Sequence, residues 1–411
     1  MKFKISILLI LLLIQFIIFA GETENDNTNL VPKVFFDCVH LDLNYVRENI
    51  TFINYVIERQ EADIFIMGTR QRTGSGGNKY IFNFIGHNQF AGVNDTLSFT
   101  VTDNETSDVI RTKMVKILKL GLIPYISKTA IAKDIEITYT KSEKAGKLTD
   151  KWNNWVFKTR LNGRFRGEES SSDTDLGTEF SADRITEEWK IQTSIDYNYS
   201  KEYEELEGEN VTAIKKDLDI DGLIVKSLSE HWSLGAGFLA TSATYSNIEY
   251  NYNMYPAIEW NIFPYSEANL RQFCFRYGVG YGYSNYRDTT IYNKIEEFLL
   301  GQSLTVDLEF KQTWGEIDVN IEGFNYFHDL KKNHLRIRNR ISLYLFKGLS
   351  FSIQGGASLI HDQLSLPKEV ISDIERLMNI KEIETSYSYW FGVGLEYTFG
   401  SLYNNIVNPR F

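Results

Sequence analysis

From about Ile131 to the end, the chain alternates with a period of two. In Gln272–Ser284, Phe273, Phe275, Tyr277, Val279, Tyr281 and Tyr283 fall on one side and Gln272, Cys274, Arg276, Gly278, Gly280, Gly282 and Ser284 on the other. The dyad returns near the end, where Tyr387, Tyr389, Phe391, Val393, Leu395, Tyr397 and Phe399 alternate with Ser386, Ser388, Trp390, Gly392, Gly394, Glu396 and Thr398. Such alternation predicts strands with one apolar and one polar face. Strands are expected near 131–140, 154–166, 184–200, 213–228, 231–244, 251–264, 270–284, 302–313, 316–327, 334–346, 349–360 and 386–399, about twelve in all.

Before this region the pattern is mixed. KVFFDC reads as a buried strand, and Val46, Ile50, Ile53 and Ile57 recur at helical spacing from a start near Asp42. DIFIMGTRQ and KYIFNFIGH read as a hairpin across RTGSGGN, and DTLSFTV as a further strand. A second helix is expected from Ser107 as cap to Gly121 as stop, with Ile110, Met114, Ile117 and Leu118 on one face. The expected unit is βαβββα over 31–125, an α+β domain ahead of an all-β antiparallel region over 128–411. Gly74, Gly76 and Gly77 join two strands rather than opening a helix, so a phosphate loop is not expected there. The order of elements is similar to the N-terminal domain of TolB and related periplasmic adaptor domains.

Alternation alone also fits a soluble sandwich. Three features favour a membrane barrel. Strands of about 10 residues with Tyr and Trp at their ends match outer-membrane strands, and twelve is the even number a bacterial barrel requires. Connections alternate between tight (SLSEH, TWGE, FKG) and long (YSKEYEELEGEN, YRDTTIYNKIEEFLLGQ, HDQLSLPKEVISDIERLMNIKEIE). One connection, GEESSSDTDLGTEFSADR, is too long for a tight turn and is expected to enter the lumen or project into the periplasm. The chain also closes on alternating aromatics and a final Phe411, similar to an outer-membrane assembly signal, although Pro409 cannot donate to a ladder and leaves Phe399 as the other candidate.

The first residues supply a route. Lys2 and Lys4 precede an apolar run ending at Ala20, and GETENDNTN follows, which reads as a secretory signal over 1–20. No later stretch resembles a transmembrane helix, so membrane residence requires a barrel. The net charge of −11 excludes a nucleic-acid partner of the usual basic kind. Cys38 and Cys274 are expected to remain unpaired.

FFDC, YVRENITFINYV, QRTGSGG and LKLGLIPY, followed by WNNWVF, HWSLG, PAIEWNIFPYSE, TWG, KGLSF and FGSLYNNIVNPRF, span nearly the whole mature chain. On these motifs the chain resembles a family of two-part outer-membrane proteins of the Bacteroidota type. The resemblance implies a barrel in the outer membrane with its N-terminal domain in the periplasm, and brings no activity with it.

Candidate chemistry lies on the polar face and at one rim. Lys158, Arg160, Arg164, Arg336, Arg338 and Arg340 share the polar face with Asp307, Glu309, Asp318 and Glu322. They are expected to form a stabilising interior network rather than a conduit, because a twelve-stranded barrel is narrower than the water-filled porins. His328–Asp329 and His361–Asp362 end neighbouring strands and His334 begins the strand between them, a weak candidate for hydrolysis with His as base and Asp orienting it, or for a metal. No serine motif or HExxH accompanies them, and neither cofactor nor metal is expected. The sequence therefore points first to a non-enzymatic scaffold or anchor presenting a periplasmic domain to an envelope partner. A small-solute pore comes second and a rim hydrolase third.

Overall fold

A computed structural model describes residues 31–138, 150–206, 209–346, 349–369 and 381–398. The expected signal over 1–20 and both candidate assembly aromatics, Phe399 and Phe411, lie outside the described residues.

The first unit runs β1 (Lys33–Asp37), α1 (Leu43–Asn49), β2 (Asn54–Tyr55), β3 (Ile64–Arg72), β4 (Asn78–Gly86), β5 (Asn94–Val101) and α2 (Ser107–Ile126). Its sheet has the order β2-β1-β3-β4-β5, parallel at β2-β1-β3 and antiparallel beyond. This is the expected α/β unit with one short strand added. The side chain of Asp42 caps α1 by accepting from the Tyr45 amide at 3.0 Å. The helix ends at Asn49, earlier than the spacing of Ile53 and Ile57 predicts. The chain turns there because the Tyr55 hydroxyl lies 3.1 Å from the Val46 carbonyl and 2.8 Å from that of Ile50, taking up groups a helix end leaves open.

The second helix differs at both ends. Thr106, not Ser107, is the cap, accepting from the Val109 amide, and the helix passes Gly121 and Pro124 to reach Ile126. Gly121 is a contact glycine rather than a stop, since a Cβ there would stand 2.0 Å from the Phe84 ring. Overpacking of this kind costs about 1–3 kcal/mol. Gly121→Ala is expected to lower the stability of this unit by that amount in denaturant titration, and unchanged stability would show that the helix does not sit on Phe84. The core between helices and sheet includes Val34, Ile64, Ile66, Phe84, Leu118, Leu122 and Tyr125. The predicted hairpin glycines close a turn in which Gly76 adopts φ +78° and its amide donates to the Thr73 carbonyl.

The second unit is one antiparallel sheet of twelve strands in sequence order: β6 (Trp155–Gly167), β7 (Ser171–Ile185), β8 (Trp189–Leu206), β9 (Glu209–Ser227), β10 (Trp232–Ala243), β11 (Ile248–Asn261), β12 (Arg271–Tyr286), β13 (Glu296–Gln312), β14 (Gly315–Tyr326), β15 (Asn333–Phe346), β16 (Leu349–Ile360) and β17 (Tyr387–Tyr397). The number matches the expectation, but the membership does not. Residues 130–134 form a 3₁₀ turn and 135–138 no strand, while 139–140 lie outside the described residues. The missing strand is replaced by β7, inside the segment read as a long connection. There Leu176 and Phe180 are the only large apolar residues of the outward face, too few to announce the period, and β7 pairs with β6 through Arg164↔Asp175 and Arg160↔Glu179.

The alternation of tight and long connections also needs correction. The described residues of the segment YSKEYEELEGEN are strand, with β8 and β9 paired out to Leu206↔Glu209, and β13 begins at Glu296 within the second predicted loop. A polar two-stranded ribbon satisfies its backbone in water as well as a loop does, so loss of apolar character did not mark the strand ends.

Among the described residues β6 and β17 are the two edges, and the sheet is not closed between them. It is nevertheless strongly curled. The α/β unit meets β6 at Lys158, whose ammonium lies 2.6 Å from Asp103, and shares a cavity with Glu396 and Thr398 at the end of β17. Strands lie about 4.8 Å apart, so eleven gaps laid flat would span ~53 Å against ~19 Å for the five strands of the small domain. One small domain that bonds to β6 and lines a cavity with the end of β17 requires the twelve strands to bend round towards each other.

Candidate functional site

The two faces of the large sheet differ as the alternation predicts. Outward side chains remain exposed, for example Tyr281 at 54%, Tyr389 at 76% and Phe391 at 66%. Among the described residues no layer covers them, so there these aromatics are not the middle of a sandwich. The opposite face carries the charges.

Register decides which of these meet. One row runs Glu259, Arg276, Thr305, Glu322, Arg336 across β11 to β15, the next places Asp307, Asn320 and Arg338 in line, and a third Glu309, Asp318 and Arg340. Arg336 lies 3.3 Å from Glu322, and Asp307 accepts from Asn320 Nδ2 at 2.5 Å. Arg276 is 2.7 Å from Glu259 and 3.7 Å from Asp307. On the other flank Arg160 meets Glu179 at 2.5 Å and Arg164 meets Asp175 at 2.7 Å. The predicted charges are thus brought onto one face, but Lys158 reaches out of the sheet to Asp103. Glu309 faces Asp318, a carboxylate, rather than a cation. Sequence reading left out Asp175, Glu179, Glu259 and Arg276 as partners. Their alternation was visible, but which residues stand opposite depends on register, which the unrecognised β7 obscured on one flank.

The rim histidines pair differently from their order in the chain. Asp329 is used in its own turn, where its carboxylate accepts from the Lys331 amide at 3.0 Å, and the His328 ring lies beside Tyr326. His361 Nδ1 is 3.4 Å from the Asn333 side chain. The close pair is His334 with Asp362, 2.6 Å apart at Nδ1, with Glu322 3.8 Å from Nε2 and the Phe324 ring stacked on the imidazole. Neither adjacent His–Asp pair is therefore a bonded dyad. Among the described residues the His334 ring bonds to a carboxylate and to no hydroxyl or thiol, and the bond ties the strand to the connection that carries Asp362. Among those residues, too, no three His, Cys, Asp or Glu side chains converge as metal ligands.

Asp362 belongs to the connection between β16 and β17, whose described parts fold against strand tips several places away. Asn247 Nδ2 donates to the carbonyls of Asp288 and Ser365, the Ile291 amide to that of Leu366, and the Glu382 amide to that of Tyr245. Leu364 and Leu366 of this connection are buried. A hydrogen bond to a charged group contributes about 1.5–3 kcal/mol, so Asp362→Ala is expected to raise local opening about tenfold or more. Limited proteolysis at 361–386 reads this directly, and wild-type cleavage rates would exclude the anchoring role.

At the opposite end the α/β unit docks on the tighter connections. The Arg59 guanidinium lies 4.1 Å from the centre of the Tyr344 ring and 4.8 Å from that of Phe65, and pairs with Asp37 at 3.0 Å. Burial pushes the Asp37 carboxyl up, with Arg59 opposing. The hydrogen bond from Lys158 holds Asp103 below its ordinary value. A cavity of about 390 Å³ lined by Phe35, Arg59, Trp314, Tyr344 and Glu396 runs along this junction. Cys38 and Cys274 are both free, and burial raises the Cys38 thiol.

No family model and no curated protein matches the chain. Among solved structures it is similar to the NanC porin in a rhombohedral crystal form, at 11% identity and a TM-score of 0.27, over 58% of this chain and 98% of the porin chain.

Proposed function

We propose that this chain is a non-enzymatic outer-membrane β-barrel protein whose charged interior passes small polar solutes, with the α/β unit on the periplasmic side. The barrel rests on an apolar face that no described residue covers, sustained along the strands and backed by a charged face; the conduit is preferred to the filled interior expected from size because Arg160, Arg164 and Arg276 on that charged face keep 51%, 68% and 47% of their side-chain surface exposed. Water would disfavour so large an exposed apolar surface, and hydrocarbon would accept it. In this reading β6 and β17 pair to close the barrel. They run antiparallel by count, and each carries its apolar row outward, Phe157, Leu161 and Phe165 on one and Tyr389, Phe391 and Val393 on the other. The family resemblance noted above agrees with this localisation.

Closure is tested by cysteine scanning. Leu161→Cys, combined in turn with cysteine at Tyr389, Phe391 and Val393 in a background lacking Cys38 and Cys274, is expected to cross-link in one register in outer-membrane fractions. The native protein should also migrate differently on gels before and after boiling. Recovery in soluble or inner-membrane fractions, with no cross-link in any register, would refute the barrel. Liposome swelling with small charged solutes tests passage.

A second reading, an anchor presenting the α/β unit to an envelope partner, is favoured by β5, an edge strand that is mostly exposed along its length. It is weakened by the other face of that sheet. Phe65, Met67 and Ile81 point away from the helices yet are 0%, 5% and 7% exposed, so little of that face is free for a partner.

A further inference from the structure

We infer that the α/β unit is a plug, closing the short-turn end of the polar interior against solute until it is displaced. The inference rests on the conduit reading above and adds to it a closed resting state. Three separate contacts carry it, and all fall on polar-face residues or turns at one end of the sheet.

On the β6–β7 flank, Asp103 takes Lys158 at 2.6 Å, and a Cβ at Gly74 would lie 2.7 Å from the Ile185 side chain. On the β15–β17 flank, Arg59 stands over Tyr344 at 4.1 Å. Between them, Arg70 shares a cavity of about 260 Å³ with Glu309, Lys311, Asp318 and Arg340 of the charged rows. Lys158, Ile185, Lys311, Tyr344 and Arg340 all belong to the inward alternation. A domain presented to partners would touch the rim of a barrel. This one touches inward-facing residues on both flanks, and Arg70 lines a cavity with the charged rows between them.

The contacts are of a kind that can be released. They comprise one half-exposed ion pair, one cation–π contact and a few apolar side chains interrupted by two cavities, and interfaces of this type separate more readily than cores. The apolar Phe65, Met67 and Ile81 keep the resting position favoured.

The test uses the full chain in planar bilayers. Lys158→Glu and Tyr344→Ala alter the sheet side and leave the α/β core intact. Their combination is expected to raise the fraction of time open about tenfold or more over wild type. Gly74→Cys with Ile185→Cys, added to that pair, is expected to return conductance to the wild-type level when oxidised and release it on reduction; a Cβ at Gly74 would start 2.7 Å from that of Ile185, so the turn at Gly74 must give by about an ångström to reach disulfide spacing. Wild type conducting as steadily as the displaced variant, with the oxidised lock making no difference, would overturn the plug and leave the conduit standing. Silence from every protein, with the lock still forming in good yield, would overturn the conduit reading itself and the plug with it.

Discussion

Leu304→Arg is expected to abolish stable assembly, whereas Thr305→Arg, one residue along the same strand, is expected to be tolerated. Leu304 sits near the middle of β13 on the exposed apolar face, and Thr305 faces inward between Arg276 and Glu322. Arginine at the lipid-facing midplane of a barrel costs about 2–4 kcal/mol, and an inward one alters the lining at little cost. Denaturant titration in lipid vesicles, with gel migration before and after boiling, gives both values. Equal losses at the two positions would mean that the two faces do not see different solvents, and the membrane reading would fall.

The second large effect separates the two units. Phe84 is fully buried between sheet and helices, and truncating such a ring costs about 3–5 kcal/mol. Phe84→Ala is expected to make residues 31–126 protease-sensitive while the twelve-stranded unit keeps its heat-modifiable migration. Loss of both together would show that the large sheet cannot hold its shape without the docked unit.

Much of the architecture was legible because its signals are local. The dyad in Gln272–Ser284 needs no partner to be read, since every second residue is aromatic or apolar. The hairpin at Gly76 was equally local. Three features were not. The face of β7 that turns outward offers only Leu176 and Phe180 as large apolar residues, so its strand character comes from pairing with β6. Gly121 looks like a helix stop until Phe84, thirty-seven residues earlier, is seen to occupy the space of its missing side chain. His334 meets Asp362 and not a neighbour in sequence, because strand register and the return of the β16–β17 connection place them together. In each case the deciding contact is distant in the chain, which periodicity cannot report.

That the small domain bonds to β6 and lines a cavity with the end of β17 bears on how the molecule assembles. Bringing the first and last strands of a sheet together is entropically the most expensive of its pairings, because the whole intervening chain must be looped out. The α/β unit is synthesised before either strand, bonds to the first and shares a cavity with the end of the last. In the closed barrel proposed above it would serve as a jig, holding β6 in place until β17 arrives, so that the slowest encounter of the folding reaction becomes a search over a small domain's surface.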